Sequence, residues 1–134
     1  MIKVLIADDH PFVRRSLGDL LAAAEDICVV AECADGSEVA EAAARTHPDV
    51  VLMDLFMPRM SGLAAAQALQ ATQPEIHVIV LTGSLKMTAA RDALDLGLAG
   101  FLLKGDDVHS LAESIRAVAD GGTAWNPAAG TPSR

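Results

Sequence analysis

Val50-Val51-Leu52-Met53-Asp54 is the stretch that decides how this chain folds. Four consecutive apolar residues, two of them β-branched, lack the polar alternation of a strand with one wet face. A short run of this kind describes a strand buried on both sides, and here it is cut off by a carboxylate. The amino terminus repeats the pattern, with Lys3-Val4-Leu5-Ile6-Ala7 running into Asp8 and Asp9. Counting the first strand as Lys3 to Ala7 and the third as Asp49 to Met53, comparable runs recur at Ile27 to Ala31, His77 to Thr82 and Gly100 to Leu103. Periodicity alone does not separate such runs from buried helix, but their length and Val/Ile content favour strands.

The intervening segments carry helical spacing. Val13, Leu17, Leu20 and Leu21 fall on one face, with Pro11 suited to a first turn and the acids before it suited to a cap. Val108, Leu111, Ile115 and Val118 do the same near the end, and Gly121 is placed to stop that helix. Both helices are expected to pack on the sheet. The segment Ser37 to Thr46 ends before His47-Pro48, the segment Leu63 to Thr72 before Pro74, and the segment Met87 to Leu96 at Gly97. Alternation of five strands with five helices predicts an α/β fold, a flavodoxin-like (βα)5 doubly wound parallel sheet with strand order 2-1-3-4-5.

Composition limits the function. At 134 residues and 51% hydrophobic content the chain suits one domain with one core. Ten Lys and Arg against 18 Asp and Glu leave a net charge of −8, which repels phosphate backbones, so no nucleic-acid binding by this chain is expected. No apolar run approaches the roughly 20 residues that cross a bilayer, and the opening run is too short for a signal peptide. A soluble cytoplasmic protein without membrane association is therefore expected. Cys28 and Cys33 share one extended segment, where five residues span about 16 Å, beyond the roughly 7 Å Cα limit of a disulfide. Both are read as reduced, buried small hydrophobes. The domain is placed at residues 1–122, and residues 123–134, rich in Ala, Pro, Gly, Thr and Ser, look like a linker. Trp125, the only tryptophan, either docks on the last helix or stays mobile.

In an open sheet of this order, ligands bind beyond the carboxyl ends of the strands at the switch point between strands one and three. Asp8, Asp9 and Asp54 end those two strands; Thr82 ends strand four and Lys104 follows strand five. Taken singly, an acidic pair before a helix is often a dipole partner and a lone loop Asp often an Asx turn. Their coincidence around one crevice points to chemistry instead. Crowded carboxylates raise one another's pKa unless a cation neutralises them, and hard oxygen ligands select Mg²⁺ or a similar divalent ion. One acid is then free to attack phosphorus, with Lys104 and the ion stabilising the transferring group, Thr82 bonding a third oxygen, and Gly83 offering no side chain in the way. His10, beside the acids, is read as a surface or capping residue rather than a ligand.

Ala7-Asp8-Asp9-His10-Pro11 with Arg14, Met53-Asp54-Leu55-Phe56-Met57-Pro58-Arg59-Met60-Ser61-Gly62, Leu81-Thr82-Gly83, and Gly100-Phe101-Leu102-Leu103-Lys104-Gly105 match in order and spacing those of a bacterial two-component response regulator receiver domain. The resemblance covers about residues 2 to 121. The Asp-Asp-His-Pro opening and Lys104-Gly105 further resemble the subfamily with LuxR-type helix-turn-helix output. The resemblance implies that Asp54 accepts a phosphoryl group from a sensor histidine kinase. It implies that Asp9 and Asp54 ligate Mg²⁺ directly, Asp8 through water, and the Phe56 backbone carbonyl completes the site. Lys104 would pair with the phosphoryl group, Thr82 would move toward it, and Phe101 would rotate inward. A homodimer on phosphorylation is expected, with transcription controlled through a C-terminal DNA-binding domain absent from this chain.

Several positions depart from the common pattern of that family. Gly105 stands where many members have a cis proline, Phe101 replaces a frequent tyrosine, and Ser84 follows two residues after Thr82. Phe56, where polar residues are common, is expected to shield the acyl phosphate from water. The leading expectation is a signalling module that catalyses its own phosphorylation and is no turnover enzyme. A pseudo-receiver that binds partners without phosphorylation is the alternative. An Asp-nucleophile phosphatase of the haloacid dehalogenase type is disfavoured because its second Asp would fall at His10. A flavodoxin is disfavoured because acids replace a Ser/Thr-rich phosphate loop after the first strand.

Overall fold

In a computed structural model that describes residues 1–83, 91–93, 95–104 and 108–125, six parallel strands form one sheet in the order β2-β1-β3-β4-β5-β6. The strands are β1 (Ile2–Ala7), β2 (Ile27–Cys33), β3 (Val50–Met53), β4 (His77–Thr82), β5 (Gly100–Leu103) and a two-residue β6 (Ala124–Trp125). Helices α1 (Pro11–Ala22), α2 (Val39–Thr46), α3 (Gly62–Thr72) and a last helix (Val108–Ala119) cover its faces. The expected strand order holds. Of the expected Met87 to Leu96 helix, residues 91–93 and 95 are helical; the rest of its first half lies outside the described residues, as do Ser84 and Gly105.

Side-chain alternation along the strands sorts two apolar layers. Leu5, Val51, Met53, Val80 and Phe101 pack with Val39 and Ala43 of α2 and Ala66 and Leu69 of α3. Val4, Ile6, Leu52 and Ile79 face the other way, onto Leu21 of α1 and Leu111, Ile115 and Val118 of the last helix. Each such fully buried aliphatic side chain contributes about 1.5–3 kcal/mol, which is why the central strands read as unbroken apolar runs. β1 and β3 pair in register from Val4 with Val50 to Ala7 with Met53, so both strands end level and their acids emerge side by side.

Four local expectations are corrected. The first concerns α1, which packs on the sheet as expected but leaves one residue of the expected face, Leu20, partly exposed. Leu21 is buried, but Leu20 is 38% and Phe12 81% exposed, because they overlook a groove between α1 and the last helix. Second, no acid side chain caps α1. Its N-cap is His10, without a side-chain capping bond, while Asp8 accepts the His10 N–H at 2.8 Å from outside the helix. Third, both cysteines are free as expected, yet only Cys33 is buried. Cys28 is exposed because β2 is the sheet's edge strand, with β1 as its one neighbour, whereas burial pushes the Cys33 thiol up to about 11. Fourth, Ala124 and Trp125 of the segment read as linker-like pair with Gly100 and Phe101 as a sixth strand. Trp125 lies against the sheet rather than on the last helix alone, its ring stacked on Phe101 at 6.2 Å and 10° between planes.

Candidate functional site

The level ends of β1 and β3 build one polar site on an otherwise apolar sheet. Asp54 N donates to the Ala7 carbonyl at 2.9 Å, and Asp8 N donates to the Cys33 carbonyl at 3.0 Å, so each acid leaves its strand still tied to the neighbouring one. Arg14 of α1 donates to the Asp8 carbonyl at 2.6 Å and fixes the turn that carries Asp9. On the far side, Lys104 N donates to the Thr82 carbonyl at 2.7 Å, which prolongs the β4–β5 ladder and brings the lysine over the acids.

Lys104 Nζ stands 2.6 Å from Asp8 Oδ2 and 3.1 Å from Asp54 Oδ1. Asp54 Oδ1 also accepts the Leu55 N–H at 2.9 Å. Both acids are buried, and so is Thr82 at the end of β4. Burial lifts the Asp54 carboxyl above the ordinary range; Lys104 opposes this and the Asp8 charge adds to it. Burial by itself pulls the Lys104 ammonium down, but its hydrogen bond to Asp8 and the charge of Asp54 lift it above the usual lysine value. The site therefore holds a cation firmly against two acids, one of which carries its charge at a cost.

Asp8, Asp9, His10 and Asp54 each offer one ligand atom, all within 4.8 Å of one another. Asp9 Oδ1 lies 3.0 Å from His10 Nδ1, yet it is cut off from solvent and accepts no hydrogen bond among the described residues. A buried carboxylate oxygen left in this way is suited to a hard cation, and the oxygen-rich donor set fits Mg²⁺. His10, read as surface or capping, is the N-cap residue with its side chain 66% exposed, and its ring leans on both Asp8 and Asp9. Phe56 follows the site on the β3–α3 loop and is 56% exposed. Phe101 is fully buried against Trp125, with β4 lying between its strand and β3.

One residue that shapes the site escaped the sequence reading. Asp35, after β2, is buried and accepts the Ser37 N–H at 2.9 Å, which an Asp-Gly-Ser turn signature makes legible. Its bonds to Arg59 N at 2.9 Å and Met60 N at 3.3 Å, 24 and 25 residues away, carry no such signature.

Comparison with known proteins identifies the family and the fold. The family model for the response regulator receiver domain matches residues 4–116. The response regulator protein VraR of Staphylococcus epidermidis is 35% identical over 126 residues, which cover 94% of this chain and 60% of VraR. The transcriptional regulatory protein LnrK of Bacillus subtilis is 33% identical over 127 residues, 95% of this chain and 58% of LnrK. The chain thus spans about three-fifths of the length of these relatives. Among solved structures, a LuxR-family two-component response regulator from Aurantimonas sp. SI85-9A1 superposes with a TM-score of 0.90 at 28% identity, covering 97% of this chain and 93% of that one.

Proposed function

Because the chain belongs to the response regulator receiver domain family, we propose that it accepts a phosphoryl group on Asp54 from a phosphohistidine of a sensor kinase and converts that event into a change of shape. The observation that carries this reading is the convergence of Asp8 and Asp54 on Lys104 at 2.6 and 3.1 Å, with the orphaned oxygen of Asp9 beside them. In this reading Asp9, Asp54 and the Phe56 carbonyl hold the Mg²⁺ or another divalent cation, and Asp8 holds it through water. When bound, the ion supplies positive charge to the phosphoryl oxygens during transfer.

The chain's own residues account for the rest. Leu55 N–H and Lys104 engage Asp54 Oδ1, which leaves Oδ2 as the oxygen to attack phosphorus. The new O–P bond forms as the P–N bond of the donor breaks, and the electron pair returns to the imidazole, which takes up a proton. Lys104 is already positioned to neutralise charge on the transferring group, and Thr82 donates its hydroxyl to a further phosphoryl oxygen. Thr82 and Phe101 lie on β4 and β5, so movement at one is passed to the next strand. The protein works as a regulator rather than as a turnover enzyme.

The output we propose is transcription control through a DNA-binding region outside this chain, with a homodimer forming on phosphorylation and the module acting in the cytoplasm. The name of LnrK supports a transcriptional role. No helix among the described residues is long and apolar enough to cross a membrane. Intact-mass measurement after incubation with acetyl phosphate and Mg²⁺ tests the central step. A phosphate adduct is expected on the wild type and none on Asp54→Asn; an adduct that survives the substitution, or none with any donor, overturns the reading.

A further inference from the structure

We propose that Asp35 is a positioning residue for phosphoryl transfer: together with Gly36 it clamps the β3–α3 loop in the shape that presents the Phe56 carbonyl to the metal. This rests on the reading above, in which that carbonyl completes the cation site. The loop leaves Asp54 and re-enters helix at Ser61, whose hydroxyl caps α3 by accepting the Ala64 N–H at 3.1 Å. Its base is closed by Gly62 N donating to the Leu55 carbonyl at 2.9 Å. Its far end is held from outside, where both Asp35 oxygens take the Arg59 and Met60 N–H groups at 2.9 and 3.3 Å. Phe56 sits between these two attachments, flanked by buried Leu55 and Met57. A peptide unit pinned on both sides has little freedom to turn its carbonyl.

Two further observations support the clamp. A Cβ on Gly36 would collide with the Met60 carbonyl oxygen, so the two loops meet backbone to backbone and a side chain would pry them apart. Hydrogen bonds from the Arg59 N–H, from the side chain and N–H of Ser37, and from the Met60 N–H hold the Asp35 carboxyl down at about 2, so it stays an acceptor throughout the physiological range. A turn of the Asp35-Gly36-Ser37 type requires only the local bond to Ser37. The two long bonds have no use for the turn itself and serve the loop that follows the phospho-acceptor.

The Mg²⁺ dependence of acetyl phosphate labelling separates this role from general support of the fold. Asp35→Asn turns an N–H donor toward the loop's own N–H groups, and weakening a group that orients a metal ligand typically costs about 10-fold in metal affinity. The Mg²⁺ concentration for half-maximal labelling, and the Mg²⁺ affinity by calorimetry, are expected to shift by about that factor, with the maximal rate restored at saturating Mg²⁺. Gly36→Ala is expected to shift in the same direction. Ile115→Val, which trims the core on the opposite face of the sheet, serves as the control for lost stability and is expected to leave the Mg²⁺ dependence unchanged. Wild-type Mg²⁺ dependence in Asp35→Asn overturns the clamp, as does an equal shift in Ile115→Val. Amide exchange on the wild type needs no variant: protection of the Arg59 and Met60 N–H groups supports the clamp, and free-loop exchange at both overturns it. Should the wild type bind no Mg²⁺ and form no adduct, the reading of the site itself fails, and the clamp with it.

Discussion

Asp35 and Asp54 are each only 6% exposed, yet Asp54 lies deeper in the protein, and their carboxyls move in opposite directions. Asp35 is held down at about 2 by the Arg59 N–H, then by the side chain and N–H of Ser37, with a smaller part from the Met60 N–H. Asp54 is raised because burial outweighs its bonds to Lys104 and Leu55, with the Asp8 charge adding to the effect. Surface exposure alone therefore does not distinguish the two acids. What distinguishes them is whether the surroundings complete the carboxylate. Asp35 has both oxygens committed to neighbouring loops, while Asp54 retains Oδ2 and sits beside a metal-suited acid. The nucleophilic role proposed for Asp54 needs that incompleteness, and the clamp proposed for Asp35 must lack it.

The contrast can be broken most directly at Lys104. Lys104→Ala removes the cation that faces Asp54, so the initial rate of acetyl phosphate labelling is expected to fall about 10²-fold, the usual cost of removing one donor to a developing charge. An unchanged rate would mean that Lys104 plays no part in setting Asp54 apart.

Stability should separate the two acids by sign. In metal-free protein at pH 7, Asp54→Asn removes a charge held at a cost and is expected to raise stability by about 1 kcal/mol, as relief of active-site strain commonly does; Asp35→Asn is expected to lower the melting temperature. Acid unfolding extends the test. The stability Asp35 contributes is fully present above its unfolded pKa of about 3.9 and is lost as the pH falls through its folded value of about 2. Asp54 acts in the reverse sense, because its folded pKa is raised and acidification relieves its charge. Urea midpoints measured against pH should show Asp35→Asn with a shallower fall between about pH 4 and 2 than the wild type. Parallel curves would contradict the contrast between the two acids.

The smallest effect is expected at Phe56. Its ring follows Asp54 closely but is 56% exposed, so any shielding of the acyl phosphate is partial. Phe56→Asn is expected to shorten the acyl phosphate lifetime by a small factor, followed as phosphate release from the labelled protein. Equal lifetimes would show that the open side of the Asp54 site gains nothing from this ring.

The sheet was legible because its central strands are buried on both faces, a demand that writes itself into Val4-Leu5-Ile6-Ala7 and Val50-Val51-Leu52-Met53 as unbroken apolar runs. The acids were legible for the same reason, since a carboxylate that ends such a run stands out against it. Less could be read where burial is one-sided. Cys28 on the edge strand, and Leu20 and Phe12 on α1, have apolar side chains whose exposure depends on which elements lie beside them. Trp125 belongs to a segment that reads as linker, and only the free edge of β5 makes a strand of it.

By itself, then, the order of residues determined the α/β alternation, the parallel sheet and the acids that end its first and third strands, because each is a short-range pattern enforced by local burial. Tertiary structure alone decided that β6 extends the sheet and that Asp35 reaches across 24 residues to the loop after Asp54. Both contacts engage backbone groups that every residue possesses, so nothing in the partner's identity announces them. They exist only once the chain has brought the two together.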